Sequence, residues 1–343
     1  MTEAEIRTAF AREGVACRQF GAEFSARLRG GLANLLDRSS RVGARVLDWP
    51  GDPYADALPV RLAAGLNALV QAGQLPELAA HFPPHAPGDD ASFDAALSAA
   101  LHDDRIDAWL DGAPQTNEVA RSGVLMPGLL AIAAATGLPL ALFELGASAG
   151  LNLRLDSYAY DLGGLVLAPP AAPIRLAPAW DGPPPPAADL RIVARRGVDL
   201  NPLDVTDAAH RERLLAYVWP EQVERVARLQ AALEAAALDP PTLDRGDAAA
   251  WVEERVAPVE GRCTVVLHSI AFQYFPATTQ ARIAAHLEAQ GARATATAPL
   301  AWLRYEFDSP EAAALPTLRL RLWPGEDRLL AHAHPHGATV QWL

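Results

Sequence analysis

Apolar positions recur at helical spacing through the first third of the chain. Ile6, Phe10 and Val15 follow Thr2-Glu3-Ala4-Glu5, a capping-box pattern in which the Thr hydroxyl and the Glu carboxylate satisfy orphan amides reciprocally. Leu58 to Val70 and Phe93 to Leu101 keep the same period. Loops rich in Pro, Gly and Asp separate these helices, at Pro50-Gly51-Asp52-Pro53 and at residues 81–90. No strand is predicted before Leu138.

Beyond that point the pattern changes to short β-rich runs alternating with helices. Pro139 to Glu144, Arg191 to Ala194, Thr264 to Leu267 and Ala301 to Leu303 are the runs. Helical stretches at Ala208–Val218, Glu221–Ala237, Asp247–Val256 and Thr279–Gln290 lie between them. Alternation of this kind predicts a mostly parallel sheet with helices on both faces. Leu318, Leu320 and Leu322 then alternate with Arg319 and Arg321. A Pro324-Gly325-Glu326-Asp327 turn and a returning strand from Arg328 follow, so an antiparallel hairpin closes the sheet. The expected architecture is a doubly wound α/β domain over 114–343, with an insertion at about 156–190, behind an α-helical domain over 1–113. The Pro-rich stretch 181–187 belongs to that insertion.

Composition narrows the classes. Half of the 343 residues are hydrophobic and 20% are charged, enough apolar material to exclude global disorder. Lys+Arg 29 against Asp+Glu 41 leaves a net charge of −12, which disfavours a nucleic-acid partner. Every basic residue is an arginine. Cys17 and Cys263 are isolated, so neither a disulfide framework nor a thiolate metal site is expected, and a reducing, cytoplasmic setting is. The N-terminus carries charges throughout, unlike a secretion signal. Residues 122–143 lack charge over a length that would span a bilayer. Pro127-Gly128 and Gly137-Leu138-Pro139 are expected to break that run, so no membrane partner is anticipated.

The candidate chemistry centres on Phe143-Glu144-Leu145-Gly146-Ala147-Ser148-Ala149-Gly150, which leaves a strand and enters a possible short helix. Small residues at 146, 148 and 150 allow a ligand close to the backbone, and exposed amides of such a turn favour an anionic group. The bland alternative is a tight turn that packs a helix on the sheet. Asp199, in Gly197-Val198-Asp199-Leu200-Asn201-Pro202, sits near a strand end where a carboxylate can accept from ribose hydroxyls. Asp247 enters a helix and would serve as an N-cap with or without a ligand. Thr264-Val265-Val266-Leu267-His268-Ser269 ends abruptly in polar groups. In an open parallel sheet these ends line one crevice.

ELGASAG, GVDLNP, RGDAAAW and TVVLHSIAFQYFP, in that order, resemble the nucleotide-binding motifs of class I S-adenosylmethionine-dependent methyltransferases over the last two thirds of the chain. A wider set resembles the uncharacterised domain-of-unknown-function family 2332 over nearly the whole chain. It adds Pro114-Gln115-Thr116-Asn117-Glu118 with Arg121, Tyr158-Ala159-Tyr160, Asn201-Pro202-Leu203-Asp204, Leu215 to Pro220 and His268-Ser269-Ile270. The resemblance implies a methyltransferase-like Rossmann fold. It implies that Gly146, Ser148 and Gly150 border the methionine part of the cofactor, that Asp199 holds the ribose and that Asp247 faces the adenine. Asp199 lies 49 residues past Gly150, where about 20 is common, so Asp156 and Asp161 are alternative ribose ligands. Glu144 and Tyr274 would favour the sulfonium, and Arg121 the cofactor carboxylate. Gln115, Asn117 and Gln273 would meet substrate. Capping by Thr116 or Asn117 and a Glu118–Arg121 surface pair explain that segment equally well. His268 would act as a base if the acceptor loses a proton, or else hold backbone at the strand end.

The expected function is therefore an S-adenosylmethionine-dependent methyltransferase acting on a small molecule or protein, its oligomeric state open. A non-catalytic nucleotide- or metabolite-binding protein is one alternative. A serine hydrolase is another, because Gly146-Ala147-Ser148-Ala149-Gly150 matches G-x-S-x-G, with Asp204 or Asp247 and His268 or His332 following. The helical region upstream speaks against it. His332, His334 and His336 could present three imidazoles, but Pro335 and Gly337 suggest surface histidines at a bend. Pro83-Pro84 denies His81 and His85 a common helix face, and no metal is expected.

Overall fold

Three of the N-terminal helices form where the apolar spacing places them, and the others lie in stretches that the spacing does not single out. A computed structural model describes residues 2–86, 88–308 and 315–343 of the chain; Pro87, within the expected loop at 81–90, lies outside them. Helices α1 (Glu3–Gln19), α2 (Glu23–Leu35), α3 (Arg41–Leu47), α4 (Leu58–Gln71), α5 (Pro76–Ala79) and α6 (Asp90–Ala100) come first. The capping box is present: the Thr2 hydroxyl accepts from the Glu5 amide, and the Glu5 carboxylate accepts from the Thr2 amide. Ile6, Phe10, Leu32, Leu62 and Phe93 are buried in one apolar core between these helices.

The second part begins with α7 (Ser122–Thr136), which runs through Pro127 without a break. Pro127 lies in the second turn, where the donor it lacks costs only the bond to the Gly123 carbonyl. Gly137, left-handed at φ 65°, ends the helix as expected. The stretch Val119–Thr136 is apolar and long enough to cross a membrane by composition, yet most of it is buried inside the protein.

Strand β1 (Leu140–Leu145) follows, then β2 (Ala159–Leu162), β3 (Leu165–Leu167), β4 (Arg175–Leu176), β5 (Ala179–Asp181) and β6 (Ile192–Asp199). Helices α8 (Ala208–Ala216) and α9 (Val223–Leu238) lead to β7 (Leu243–Arg245), α10 (Ala248–Arg255), β8 (Cys263–Ser269) and α11 (Ala277–Gly291). Strands β9 (Leu300–Glu306), β10 (Thr317–Trp323), β11 (Asp327–Ala333) and β12 (Thr339–Trp342) end the chain. The nine-stranded sheet has the order β5-β12-β11-β10-β9-β8-β1-β6-β7. From β7 to β9 all neighbours are parallel, and β9 to β12 is an antiparallel meander that contains the expected hairpin. Strand order reverses between β1 and β8, where open α/β sheets place their ligands.

Helices cover both faces. Leu145, Val198, Val266, Leu300 and Trp302 pack with Trp251 and Val252 of α10 and Ile283 and Leu287 of α11. On the other face α7 lies so close that a Cβ on Gly128 would sit 2.7 Å from the Leu303 side chain.

The insertion is more structured than a loop. β2 pairs with β3 and β4 in a small separate sheet, and β5 adds a parallel edge strand beside β12. Strands of two to four residues are too short to show a period, which is why they and β7 are invisible in the pattern.

By its contacts the chain groups into two compact units, Met1–Thr116 with Ala208–Gln230 and Asn117–Asp207 with Ala231–Leu343. Residues 208–230, placed by the sequence pattern in the α/β domain, group with the N-terminal helices. Asn67 Nδ2 donates to the carbonyls of Ala216 and Val218 at 2.9 and 3.1 Å, and Glu221 accepts from the amide and hydroxyl of Ser25.

Candidate functional site

The glycine-rich turn at the end of β1 has its hydrogen bonds already made. The Ala147 amide donates to the Val198 carbonyl (3.1 Å) and that of Gly150 to the Ala147 carbonyl (2.7 Å). The Ser148 amide donates to Oδ2 of Asp199 (2.9 Å). Oδ1 of Asn117 accepts from both Ala149 (3.2 Å) and Leu151 (3.0 Å). Five successive amides are thus committed within the protein, so the expected cradle of exposed amides for an anion is not there. The glycines admit protein rather than ligand: a Cβ on Gly146 would lie 2.7 Å from the Ala271 side chain, and one on Gly150 2.8 Å from Pro241. The tight-turn reading describes this loop, and the helix after it is a 3-10 turn at Leu151–Ser157. Gly146, Ser148 and Gly150 all have positive φ, which for a serine (54°) is a strained conformation. Ser148 Oγ is buried without a hydrogen-bond partner.

Glu144 lies one residue before the end of β1, opposite Gly197 on β6 and Leu267 on β8. It is 2% exposed, and its Oε2 has no partner. Burial raises its carboxyl to about 8; the Asp199 charge adds to this, while a hydrogen bond from Asn152 and the charge of Arg121 oppose it. Ser122 Oγ donates to Asn152 Oδ1 at 2.8 Å and so turns the amide nitrogen toward Glu144. At neutral pH this carboxyl is mostly protonated.

Asp199, half-buried at the tip of β6, accepts from the Ser148 amide and, through Oδ1, from the Asn201 amide (2.8 Å). Its carbonyl accepts from Gly246, two strands from β1, so 144–150, 199 and 247 share one end of the sheet. Asp247 is the N-cap of α10, with the Ala250 amide on Oδ1 at 2.9 Å and Arg282 at 3.6 Å. Asp156 is held by Arg195 (2.7 and 2.9 Å) and Asp161 by Arg175 (2.9 Å).

At the tip of β8 the imidazole of His268 is fully buried. Trp302 Nε1 lies 3.0 Å from its Nε2, and an indole only donates, so Nε2 is the acceptor and Nδ1 carries the proton. Nδ1 donates to Oε1 of Glu306 at 2.6 Å, and Phe272 stacks on the ring at 4.7 Å. Both nitrogens are therefore occupied, and neither faces a substrate. Oε1 of Glu306 also accepts from the amides of Ala271 (3.0 Å) and Phe272 (3.1 Å). Its Oε2 is buried without a partner.

Arg121 donates through Nη1 to the Ser269 carbonyl (2.8 Å) and through Nε to that of Pro335 (3.0 Å). Burial lowers its pKa against the pull of Glu118, Tyr305 and Glu306, but a guanidinium stays charged. No surface pair with Glu118 forms; the Glu118 carboxylate accepts from the Ala120 amide instead. Tyr274 and Gln273 are exposed on a 3-10 turn just past β8. Asn117 clamps the glycine-rich turn, and Gln115 groups with the first unit.

His334 Nδ1 accepts from the His336 amide, and among the described residues no group of His, Cys, Asp and Glu is arranged to hold a metal. Glu306, Asn152 and Trp302 escaped the sequence reading. Glu306 carries a signal, an acid at the tip of the strand next to β8, but the β-rich run Ala301 to Leu303 stops short of it.

The family described as "Uncharacterized protein conserved in bacteria (DUF2332)" matches residues 7–342 of the chain. No curated protein and no solved structure matches it.

Proposed function

The chain belongs to the DUF2332 family, and on the geometry of its strand tips we propose that it is an S-adenosylmethionine-dependent methyltransferase with a methyltransferase-like Rossmann sheet. The observation that carries this reading is Glu144, a buried carboxyl with one oxygen unpartnered, set beside Asp199 where the strand order reverses. A buried oxygen of that kind calls for a donor or a cation. S-adenosylmethionine brings an ammonium and a sulfonium, so the residues fit it at this end.

When bound, the cofactor supplies a methyl group on a positively charged sulfur. Glu144 would ionise against that charge and hold it in place. Asp199 spends one amide bond on each oxygen and keeps lone pairs for ribose hydroxyls. Asp247 would mark the adenine side at the outer edge of the parallel strands. The Ser148 amide stays with Asp199 and those of Ala149 and Leu151 with Asn117, which keeps Glu144 and Asp199 in register. His268, bonded on both sides, takes no proton from the acceptor, so the protein's contribution would be alignment, which methyl transfer can use alone.

Isothermal calorimetry with S-adenosylmethionine and S-adenosylhomocysteine tests this. Heat of binding is expected for the unaltered chain, and affinity at least about tenfold weaker in Asp199→Ala and Glu144→Gln, as loss of a charged hydrogen-bond partner costs. Silence with both ligands removes the reading. Binding without methyl transfer to any acceptor would leave a metabolite-binding protein.

One observation favours a second reading: Ser148 occupies a left-handed turn between strand and 3-10 helix, as a nucleophile elbow does. Its hydroxyl, however, is buried and bonded to nothing, and the amides after it are spent, so neither base nor oxyanion hole is assembled. Fluorophosphonate labelling that disappears in Ser148→Ala would restore the hydrolase.

A further inference from the structure

At the tips of β8 and β9 two opposite charges are fixed near each other without meeting. Arg121 spends two nitrogens on carbonyls and, among the described residues, makes no ion pair with a carboxylate. Glu306 takes three donors on Oε1 and none on Oε2, although the residue is 8% exposed. Both are anchored to the same short segment. Arg121 holds the carbonyl of Ser269, which pairs in register with Tyr305, the neighbour of Glu306. Glu306 in turn holds the amides of Ala271 and Phe272. Between them Ile270 is kept at φ 48°, a conformation a β-branched residue rarely adopts, by a 2.7 Å bond to the Tyr305 carbonyl.

Buried opposite charges ordinarily close on each other or are hydrogen-bonded in full. Here the backbone bonds hold both groups in place and leave one acceptor of Glu306 unspent, while its charge bears on Arg121. Arg121 is only partly covered, and the exposed Tyr274 lies close enough to feel its charge, so the guanidinium side of the spot opens to solvent while Oε2 of Glu306 lies beneath it. The missing complement is a group that carries a donor cation and an acceptor anion a short distance apart.

We propose that Arg121 and Glu306 form a receptor for the head of a free α-amino acid, with its carboxylate on the Arg121 guanidinium and its ammonium on Oε2 of Glu306. Such a ligand neutralises each charge locally and leaves the net charge of the site unchanged. His268 is a positioning residue here: the Trp302–His268–Glu306 chain occupies Oε1 and so directs Oε2 to the ligand. That the amino acid is the methyl acceptor rests on the methyltransferase reading; that it binds does not.

The test is calorimetry on the full chain with the proteinogenic L-amino acids singly, alongside the amine and the carboxylic acid that carry the same side chain. At least one amino acid is expected to bind, with its amine and acid analogues each about tenfold weaker or more. Glu306→Gln is expected to weaken the amino acid by a similar factor while S-adenosylhomocysteine still binds, and Arg121→Lys to do so because the planar fork is lost. Near-UV circular dichroism of each variant reports whether it is folded. The proposal is overturned if no amino acid binds the unaltered chain, or if an analogue with one charge binds as well as the zwitterion. It is also overturned if saturating S-adenosylhomocysteine displaces the amino acid, for the slot then reads that ligand's own amino-acid end. Amino-acid binding with no binding of S-adenosylhomocysteine upholds the receptor and removes the methyltransferase alone.

Discussion

Glu144 is a carboxyl that the fold keeps neutral. Its ordinary value of 4.5 is raised to about 8 by burial, so between those values the unfolded chain ionises it and the native chain does not. The native state therefore binds the extra proton, and stability falls as pH rises through this window, by up to about 1.4 kcal/mol per pH unit. Thermal melts of the unaltered chain and Glu144→Gln between pH 5 and pH 8 should diverge, with the substituted chain relatively more stable at the alkaline end. Parallel curves would mean that the carboxyl is not held neutral. A cationic ligand at Oε2 would reverse the shift and release a proton. Binding heats measured in buffers of different ionisation enthalpy should then differ, and the difference should vanish in Glu144→Gln. The residue itself was visible in the sequence as the acid before a glycine-rich turn. Its missing hydrogen bond was not, because that depends on Asn152 and Ser122 arriving from other elements.

One acid ties β7 to β6 and to α10 beside the backbone ladder. Asp244 on β7 accepts from Arg196 of β6 at 2.6 and 2.8 Å and from the Trp251 indole of α10 at 2.6 Å. Arg196 beside it holds its carboxyl down at about 2, helped by the Trp251 bond and the Arg255 charge. The stabilisation is present above 3.8 and is lost as pH falls toward about 2. Asp244→Asn should cost about 1–3 kcal/mol at pH 7, read as a shift in the urea midpoint, and much less near pH 2. An equal shift at both values would assign the loss to packing instead. The helices α8 to α11 and the longer strands were legible element by element, within a few residues at their ends. The three-residue β7 and the pieces of the insertion were not, for strands that short carry no period and are held by partners distant in sequence.

On the scale of the whole molecule, the chain leaves the sheet after β6, contributes residues 208–230 to the helical unit and then returns. Hydrogen exchange should reveal this: amides of α8 should share the protection of α4 rather than that of β1 and β8. Asn67→Ala, which unpairs the Ala216 and Val218 carbonyls, should speed exchange in α4 and α8 and leave the central strands unchanged. Uniform acceleration across the protein would show one cooperative unit. An expected boundary at residue 113 follows from where helical pattern gives way to strands, and pattern carries no information about which helices pack together.

Periodicity and turn chemistry were sufficient to place α1, α4, α6 and α8 to α11, the parallel run of strands and the closing hairpin, because each is dictated by side chains adjacent along the chain. They also pointed to the acids and small residues at one end of the sheet. Only the folded arrangement decided what those groups are free to do. Asn117, Asp199 and two backbone carbonyls consume the amides of the glycine-rich turn, Trp302 and Glu306 occupy both nitrogens of His268, and Ala271 and Pro241 fill the space the glycines leave. The same packing leaves single oxygens of Glu144 and Glu306 unmet. Whether a polar group is satisfied depends on neighbours brought from tens to hundreds of residues away, and no local pattern in a sequence encodes that.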